Sequence, residues 1–302
     1  AWVALSRLAD GRWSPARLVG AHPRPAIAIA ATGVAALLVA TRPAAPHPWP
    51  ERAEIAVLDV GQGQAVLLRD AAGGATLVDA GPPGSPAPVV EALDRHGVER
   101  LDALVLTHPA LDHVGGTVSL LDAVRVVRVL VPPLARDEPH GPTAEALEAA
   151  ADRGVEVVEV RAGALLRAGA WKMAILWPQR PPTAGVDPNR GSLVMRASTT
   201  SWRALLAADA ESPTLGPLPI GRVDALVVGH HGSADPGLGA LLGRLRPDVG
   251  LISVGAGNRF GHPDDRTLAQ LGAAGVAVHR TDRQGDLIVQ RDANGLVVAP
   301  SR

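Results

Sequence analysis

Short apolar runs recur from Glu54 to the end of the chain, and most are too short to form helices. Runs such as Ile55–Val60 and Ala75–Asp79 predict strands, and Gly73-Gly74 predicts a hairpin turn. Helices are predicted at Val89–Arg95 and at Thr143–Asp152, the second with Thr143 as its cap. Because hairpins are mixed with strand–helix units, the pattern favours two packed sheets covered by helices over one parallel sheet.

Residues 1–53 have a different pattern. The segment Ala26–Ala40 carries no charge and has arginines on both sides, and residues 42–53 are rich in proline. The apolar segment is shorter than the roughly 20 residues of a typical spanning helix, but it has no polar face for water. We therefore predict a membrane helix at about 26–41 and a Pro-rich linker up to residue 53, followed by a folded domain at 54–302. A buried helix of a soluble domain is the alternative.

The composition excludes several classes of site. Lys plus Arg is 29 and Asp plus Glu is 30, so a net charge of −1 gives no overall signature of nucleic-acid binding. The chain has no cysteine, which excludes disulfides, thiolate ligands and a cysteine nucleophile. Aromatic residues are few, with one Phe and no Tyr. Any contact with nucleic acid must therefore depend on a local patch.

Polar residues of types that can bind metals follow many of the apolar runs directly. They are Asp79, the group His108, Asp112 and His113, Asp209, the pair His230-His231, and Asn258 with His262. The carboxyl ends of several strands can meet at one rim, where ligand sites of α/β proteins tend to lie. Histidine and aspartate are ligands for Zn²⁺, Mn²⁺ or Fe. The sequence therefore predicts a metal site with nitrogen and oxygen ligands.

The segment Thr107–Gly116 is the most specific of these groups. It places a His and an Asp-His pair after a predicted strand and before two glycines. A lone histidine is more often a packed or surface residue, but His108, Asp112 and His113 at this spacing favour a metal site. The segment resembles the HxHxDH motif of the metallo-β-lactamase superfamily.

Further segments resemble, in chain order, the motifs of one group within that superfamily. They are Leu58–Ala65, Leu77–Gly81, Asn189 with Ser192–Val194, Leu205–Glu211, Val228–Ser233, Ser253–Pro263 and Arg280–Gly285. The sequences GHHGS and NRFGHP distinguish this group, which comprises the ComEC-type domains of DNA-uptake membrane proteins. The resemblance covers most of residues 54–290. It implies an α+β fold, an αββα four-layer sandwich, preceded by a membrane helix.

One departure from the motif affects the metal ligands. Ala110 stands where HxHxDH has its second histidine, and alanine cannot bind metal. The other departures are Gln64 for the Asp of GQGDA and Ala208 for the Gly of TGD. The resemblance implies that His108 and residue 110 hold one ion, that Asp112 and His113 hold another, and that Asp209 bridges them. We therefore expect one or two divalent ions, Zn or Mn. The ligands of the ion at His108 and residue 110 are incomplete.

The resemblance also implies roles in hydrolysis. One of His230 and His231 completes the ligands, and the sequence does not decide which. Asp112 would orient or deprotonate a water that attacks phosphorus, and His262 or one of the paired histidines would protonate the leaving oxygen. Asp59, Asp79, Ser233 and Asn258 are expected to support the site or to shape turns.

These roles describe a phosphodiesterase or nuclease domain of a DNA-uptake protein in the bacterial inner membrane. Its expected partners are single-stranded DNA or another phosphodiester, the membrane through the N-terminal segment, and the channel region of the same protein. One alternative is a catalytically impaired domain with a structural or DNA-guiding role, because of Ala110. Another is a stand-alone hydrolase of small phosphoesters.

Overall fold

The computed structural model describes residues 47–133, 141–181 and 187–302. The membrane helix predicted at about 26–41 lies outside these residues. Within the three described ranges, no helix is both long and apolar enough to cross a membrane.

Two large sheets form the centre of the domain. The first has eight strands in the order β17-β16-β1-β2-β3-β5-β7-β8. These strands are β1 Glu54–Val57, β2 Val66–Arg69, β3 Ala75–Val78, β5 Ala103–Val105, β7 Arg128–Val131, β8 Glu156–Glu159, β16 Leu287–Arg291 and β17 Leu296–Pro300. The predicted turn at Gly73-Gly74 does join two antiparallel strands, β2 and β3. Strands β3, β5, β7 and β8 run parallel, so their carboxyl ends share one edge.

The second sheet has seven strands in the order β15-β14-β13-β12-β11-β10-β9. They are β9 Leu165–Ala168, β10 Trp171–Trp177, β11 Val194–Ser198, β12 Arg203–Leu206, β13 Ala225–Val227, β14 Val249–Ile252 and β15 Ala277–Arg280. Strands β12 to β15 are parallel. Two short strands, β4 Arg100–Leu101 and β6 Arg125–Val126, pair separately.

Helices cover the outer faces of both sheets. They are α1 Pro88–Arg95, α2 Leu111–Val114, α3 Thr117–Ala123, α4 Pro142–Asp152, α5 Ser212–Leu215, α6 Leu238–Leu245, α7 Asp265–Ala273 and α8 Thr281–Gln284, with 3₁₀ turns at Pro188–Gly191 and Gly229–Gly232. One apolar core lies between the first sheet and α1, α3 and α4, and another lies between the second sheet and α5 to α7. A third core fills the space between the sheets. The predicted αββα sandwich is therefore confirmed.

The core between the sheets contains two tryptophans. Trp171 and Trp202 meet edge to face with their ring centroids 5.3 Å apart, and both are almost fully buried. Truncating a buried aromatic side chain of this kind costs about 3–5 kcal/mol. This core holds the two sheets, and the loops at their edges, in a fixed relation.

Some predicted elements were wrong in detail. The helix predicted from Thr143 begins at Pro142, and Gly141 precedes it, so Thr143 is not the cap. The apolar run Val126–Val131 predicts a single strand, but the structure divides it between β6 and β7, because each part belongs to a different sheet. Strands β9 and β17 were not predicted. Both are at least half exposed, and Arg167 interrupts the apolar run of β9.

Candidate metal centre

His113 stands at the middle of the polar cluster. It lies on α2, directly after the loop that leaves β5, and its side chain is fully buried. Its Nδ1 atom is 2.7 Å from Oδ2 of Asp79, and its Nε2 atom is 3.1 Å from Oδ1 of Asp209. The ring therefore links a residue at the end of β3 in the first sheet to one that follows β12 in the second sheet.

His108 approaches the same aspartate from the first sheet. Its Nε2 atom is 3.5 Å from Oδ2 of Asp209, and its ring centroid is 4.2 Å from that of His113. His108, His113 and Asp209 each offer one ligand atom within 4.8 Å of the others. This group contains the predicted ligand His108 and the predicted bridging residue Asp209.

A second group shares His113. Nε2 of His231 lies 3.2 Å from Oδ2 of Asp112 and 3.8 Å from Oδ1 of Asp209. Asp112, His113 and His231 again offer ligand atoms within 4.8 Å of one another. The structure thus brings Asp112, His113, Asp209 and one member of the histidine pair together between the two sheets.

The buried atoms of the cluster fit a bound cation. Nε2 of His108, of His113 and of His231, together with Oδ1 of Asp209, are buried without a hydrogen-bond partner among the described residues. An unpartnered buried polar atom costs about 1–3 kcal/mol, so several facing one another call for a common partner. Imidazole nitrogens and carboxylate oxygens are the donors that Zn²⁺ or Mn²⁺ accepts.

The electrostatics of the cluster also favour a cation. Burial opposes ionisation of Asp209, but the neighbouring His113 and His108 hold the pKa of its carboxyl well below the usual range. Burial likewise lowers the pKa of the His113 ring, yet the carboxylates of Asp209 and Asp79 raise it well above its usual value. The carboxylates therefore create a negative field in a buried space, where a positive charge is stabilised.

Asp79 contacts the ring nitrogen of His113 that faces away from Asp209. It is fully buried, and its carboxylate accepts hydrogen bonds from the backbone N and the Oγ1 of Thr107, at 2.9 and 2.8 Å. It also accepts one from Nε2 of Gln64 at 2.9 Å. Such a carboxylate fixes the tautomer and the orientation of a ligating histidine. Thr107 and Gln64 were not predicted as site residues, although both stand inside recognised motifs.

The two histidines of the pair have different environments. Nδ1 of the buried His231 lies 2.9 Å from the carbonyl oxygen of Ser253, which directs Nε2 towards Asp112. His230 is about one third exposed, with Nδ1 2.9 Å from Oε1 of Glu211 and Nε2 3.8 Å from Oδ2 of Asp209. His231 therefore belongs to the buried cluster, and His230 lines its open side.

Glu211 is a site residue that sequence reasoning missed. It receives a short hydrogen bond from Oγ of Ser233, so it links two predicted residues, Ser233 and His230. The bond to Glu211, against a smaller effect of burial, raises the pKa of His230. The signal for this role was present, because Glu211 ends the segment that resembles LLTGDxE.

Left-handed backbone conformations are concentrated at the site. Asp79, Ala208, His230 and His231 have φ values of 64°, 49°, 51° and 53°. Non-glycine residues rarely adopt this region, and strain of about 1–3 kcal/mol each is typical of functional sites. At position 208, where the family motif has glycine, alanine adopts the strained conformation. These conformations turn the side chains of Asp79 and His231 towards the cluster.

The remaining predicted residues lie around the cluster. His262 is half buried, with its ring centroid 5.7 Å from that of His230. Asn258 shapes the loop before it, accepting hydrogen bonds at Oδ1 from the backbone of Phe260 and His262. Asp59 instead pairs with Arg302 and accepts from Gly61, so its contacts are structural.

Ala110 precedes the helix that carries Asp112 and His113. It has extended φ and ψ values of −75° and 139° and is half buried. Its methyl group offers no metal ligand, so the expected pair of ligands at His108 and residue 110 lacks one member.

The chain belongs to the metallo-β-lactamase superfamily, whose profile matches residues 58–256. Within it, the chain is 32% identical over 203 residues to ComE operon protein 3 of Bacillus subtilis, covering 66% of this chain and 26% of that protein. It is 28% identical over 299 residues to competence protein ComA of Neisseria gonorrhoeae, covering 91% of this chain and 40% of that protein. These relatives confirm the resemblance to ComEC-type competence proteins. The chain spans between a quarter and two fifths of their lengths.

A solved structure shows the same fold. A diphosphatase of the PhnP family superposes with a TM-score of 0.51 at 15% sequence identity, covering 80% of this chain and 98% of that one. At this identity the similarity shows the fold alone. Fold and family together define a hydrolase-type domain of the kind found in competence proteins.

Proposed function

We propose that this domain is a metal-dependent phosphodiesterase that acts on single-stranded DNA as part of a DNA-uptake protein. The observation that carries the proposal is the convergence of four buried, unpartnered ligand atoms, from His108, His113, His231 and Asp209. Two groups that share His113 offer these donors, with Asp112 as a further ligand. The names of the competence relatives support a place in DNA uptake, and the metallo-β-lactamase superfamily supports a hydrolase-type reaction.

The residues present would hold one or two divalent ions. His113, His231, Asp112 and Asp209 supply the more complete set, and His108 adds a donor on the other side of Asp209. When bound, the ion would lower the pKa of a coordinated water and neutralise charge that develops on the phosphate. Zn²⁺ and Mn²⁺ both suit this donor set.

The chain's own side chains then divide the remaining work. Asp112 is about one third exposed beside His231, so one oxygen of its carboxylate can orient an attacking water. His230 faces the open side and is held by Glu211, which places its Nε2 where it can bind the phosphate or protonate the leaving oxygen. His262 lies next to it and is a second candidate for that proton transfer.

A non-catalytic role is the second candidate, and Ala110 is the observation that favours it. With one histidine of the motif absent, the domain would hold metal and DNA without hydrolysis. In either case we propose that it works beside a membrane channel for DNA in the bacterial inner membrane, because its relatives are competence proteins.

A nuclease assay on the full chain tests the proposal. End-labelled single-stranded DNA is incubated with the protein after chelation and after addition of Mn²⁺ or Zn²⁺, with Asp112→Asn as a matched variant. Hydrolysis that requires the metal and is lost in the variant is the expected result. Bound metal without hydrolysis supports the non-catalytic role, and hydrolysis that survives chelation contradicts the metal-dependent mechanism.

A further inference from the structure

An exposed aromatic side chain stands at the rim of the metal centre. Phe260 is the chain's one phenylalanine, and it is 53% exposed, more than any tryptophan in the described ranges. Its ring stacks on that of His262, with centroids 5.8 Å apart and an angle of 17° between the planes. Because His262 is next to His230, two ring-to-ring steps connect the exposed phenylalanine to the cluster.

A cation lies over the same ring. The guanidinium carbon of Arg259 is 5.0 Å from the ring centroid of Phe260. Arg259 is itself exposed, so its charge is available to a phosphate that approaches the rim. An exposed aromatic ring and an exposed guanidinium match the two parts of a nucleotide, the base and the phosphate, once the guanidinium turns from the ring to the phosphate.

The loop that carries these residues is held rigidly. The side chain of Asn258 accepts from the backbone N of Phe260 at 3.2 Å and of His262 at 3.0 Å. It also donates to the carbonyl oxygens of Gly255 and His262, at 3.0 and 2.7 Å. An apolar residue fixed in this way loses little conformational entropy when a ligand binds to it. A single exposed phenylalanine needs no functional explanation in general. Phe260 is different because its ring stacks on a histidine at the rim of the site.

We propose that Phe260, stacked on His262 and flanked by Arg259, is a shelf on which a base of the single-stranded substrate stacks while its phosphodiester lies at the metal centre. The shelf rests on the proposed phosphodiesterase function for its substrate. Stacking on an aromatic side chain accepts any base, so the shelf would select nucleic acid without selecting sequence. It also supplies a local contact to DNA that the chain's near-zero net charge does not.

Fluorescence tests the shelf without requiring turnover. Short single-stranded oligonucleotides carrying 2-aminopurine at successive positions are titrated with the full chain, since stacking quenches this base. Quenching at one position is expected for the wild type and for Phe260→Trp. Phe260→Ala should lose it and bind about tenfold more weakly, because about 1.4 kcal/mol of stacking corresponds to a factor of ten. Val297→Ala removes another exposed apolar side chain, on β17, and should change neither quantity.

Abasic substrates separate the shelf from the chemistry. Replacing the quenched base by an abasic sugar should raise the KM of the wild type about tenfold. The KM of Phe260→Ala should be the same for the abasic and the intact substrate. Equal discrimination by both proteins, or quenching that persists in Phe260→Ala, would overturn the shelf. Binding with quenching but without hydrolysis would instead contradict the phosphodiesterase function and leave the shelf standing.

Discussion

Nδ1 of His113 lies 2.7 Å from Oδ2 of Asp79, and this contact turns the other ring nitrogen towards Asp209. The contact joins the end of β3 to the helix after β5, so it orients a ligand through two neighbouring strands of the first sheet.

Asp79→Asn should therefore weaken metal binding by about 10–100-fold without unfolding the domain. Asparagine tolerates the left-handed backbone of this position, but it cannot hold the same tautomer of His113. Competition with a chelating dye measures the affinity, and Asp59→Asn, whose contacts lie at Arg302, is the control. Equal affinities for the wild type and Asp79→Asn would show that Asp79 does not support the metal.

Metal binding should stabilise the fold. An ion at 100 times its Kd adds about 2.7 kcal/mol to the free energy of unfolding, equivalent to a rise in Tm of about 5–10 °C for a domain of this size. Thermal unfolding followed by circular dichroism, with and without Mn²⁺ or Zn²⁺, measures the shift. His113→Asn should abolish it, since both ligand groups share His113. The same shift in that variant would place the bound ion elsewhere.

Ala110→His tests the incomplete ligand set. The position is half buried with extended backbone, so a larger side chain should fit at little cost in stability. Elemental analysis should show metal content rising towards two ions per chain, and activity should rise or stay level in an active enzyme. More metal without any turnover would instead identify a domain that has lost catalysis.

A buried network away from the metal centre should make stability depend on pH. Asp286 is fully buried, and, against the effect of burial, His96 and Arg95 lower the pKa of its carboxyl. A lowered pKa stabilises the fold above the unfolded value of about 4, and this contribution is lost as the pH falls through the folded value. Asp286→Asn should cost about 2 kcal/mol at pH 7, as measured by urea unfolding. The difference from the wild type should shrink below about pH 4, and a constant difference would contradict this role.

The sequence predicted the layers and most of the cluster because both depend on local pattern. Apolar runs predict strands, and a ligand such as Asp79 or Asp209 stands just after its strand. The sequence could not show which of His230 and His231 joins the buried cluster, because the directions of the two side chains depend on the left-handed backbone at both residues. Glu211 was missed as well, because its partner His230 comes from a different loop.

Asp209 gives the most direct test of the central claim, since it contacts His108, His113 and His231. The measurement is the rate of single-stranded DNA hydrolysis by Asp209→Asn and the wild type at a Mn²⁺ concentration that saturates the wild type, with metal content and Tm determined on the same samples. Asp224→Asn is the control, because Asp224 directly precedes β13 and so lies at the end of that strand away from the cluster. We predict a folded Asp209→Asn variant with less bound metal and a rate at least about a hundredfold lower, as expected when stabilisation by a metal ion is lost. A folded Asp209→Asn variant that hydrolyses DNA at the wild-type rate would contradict the account.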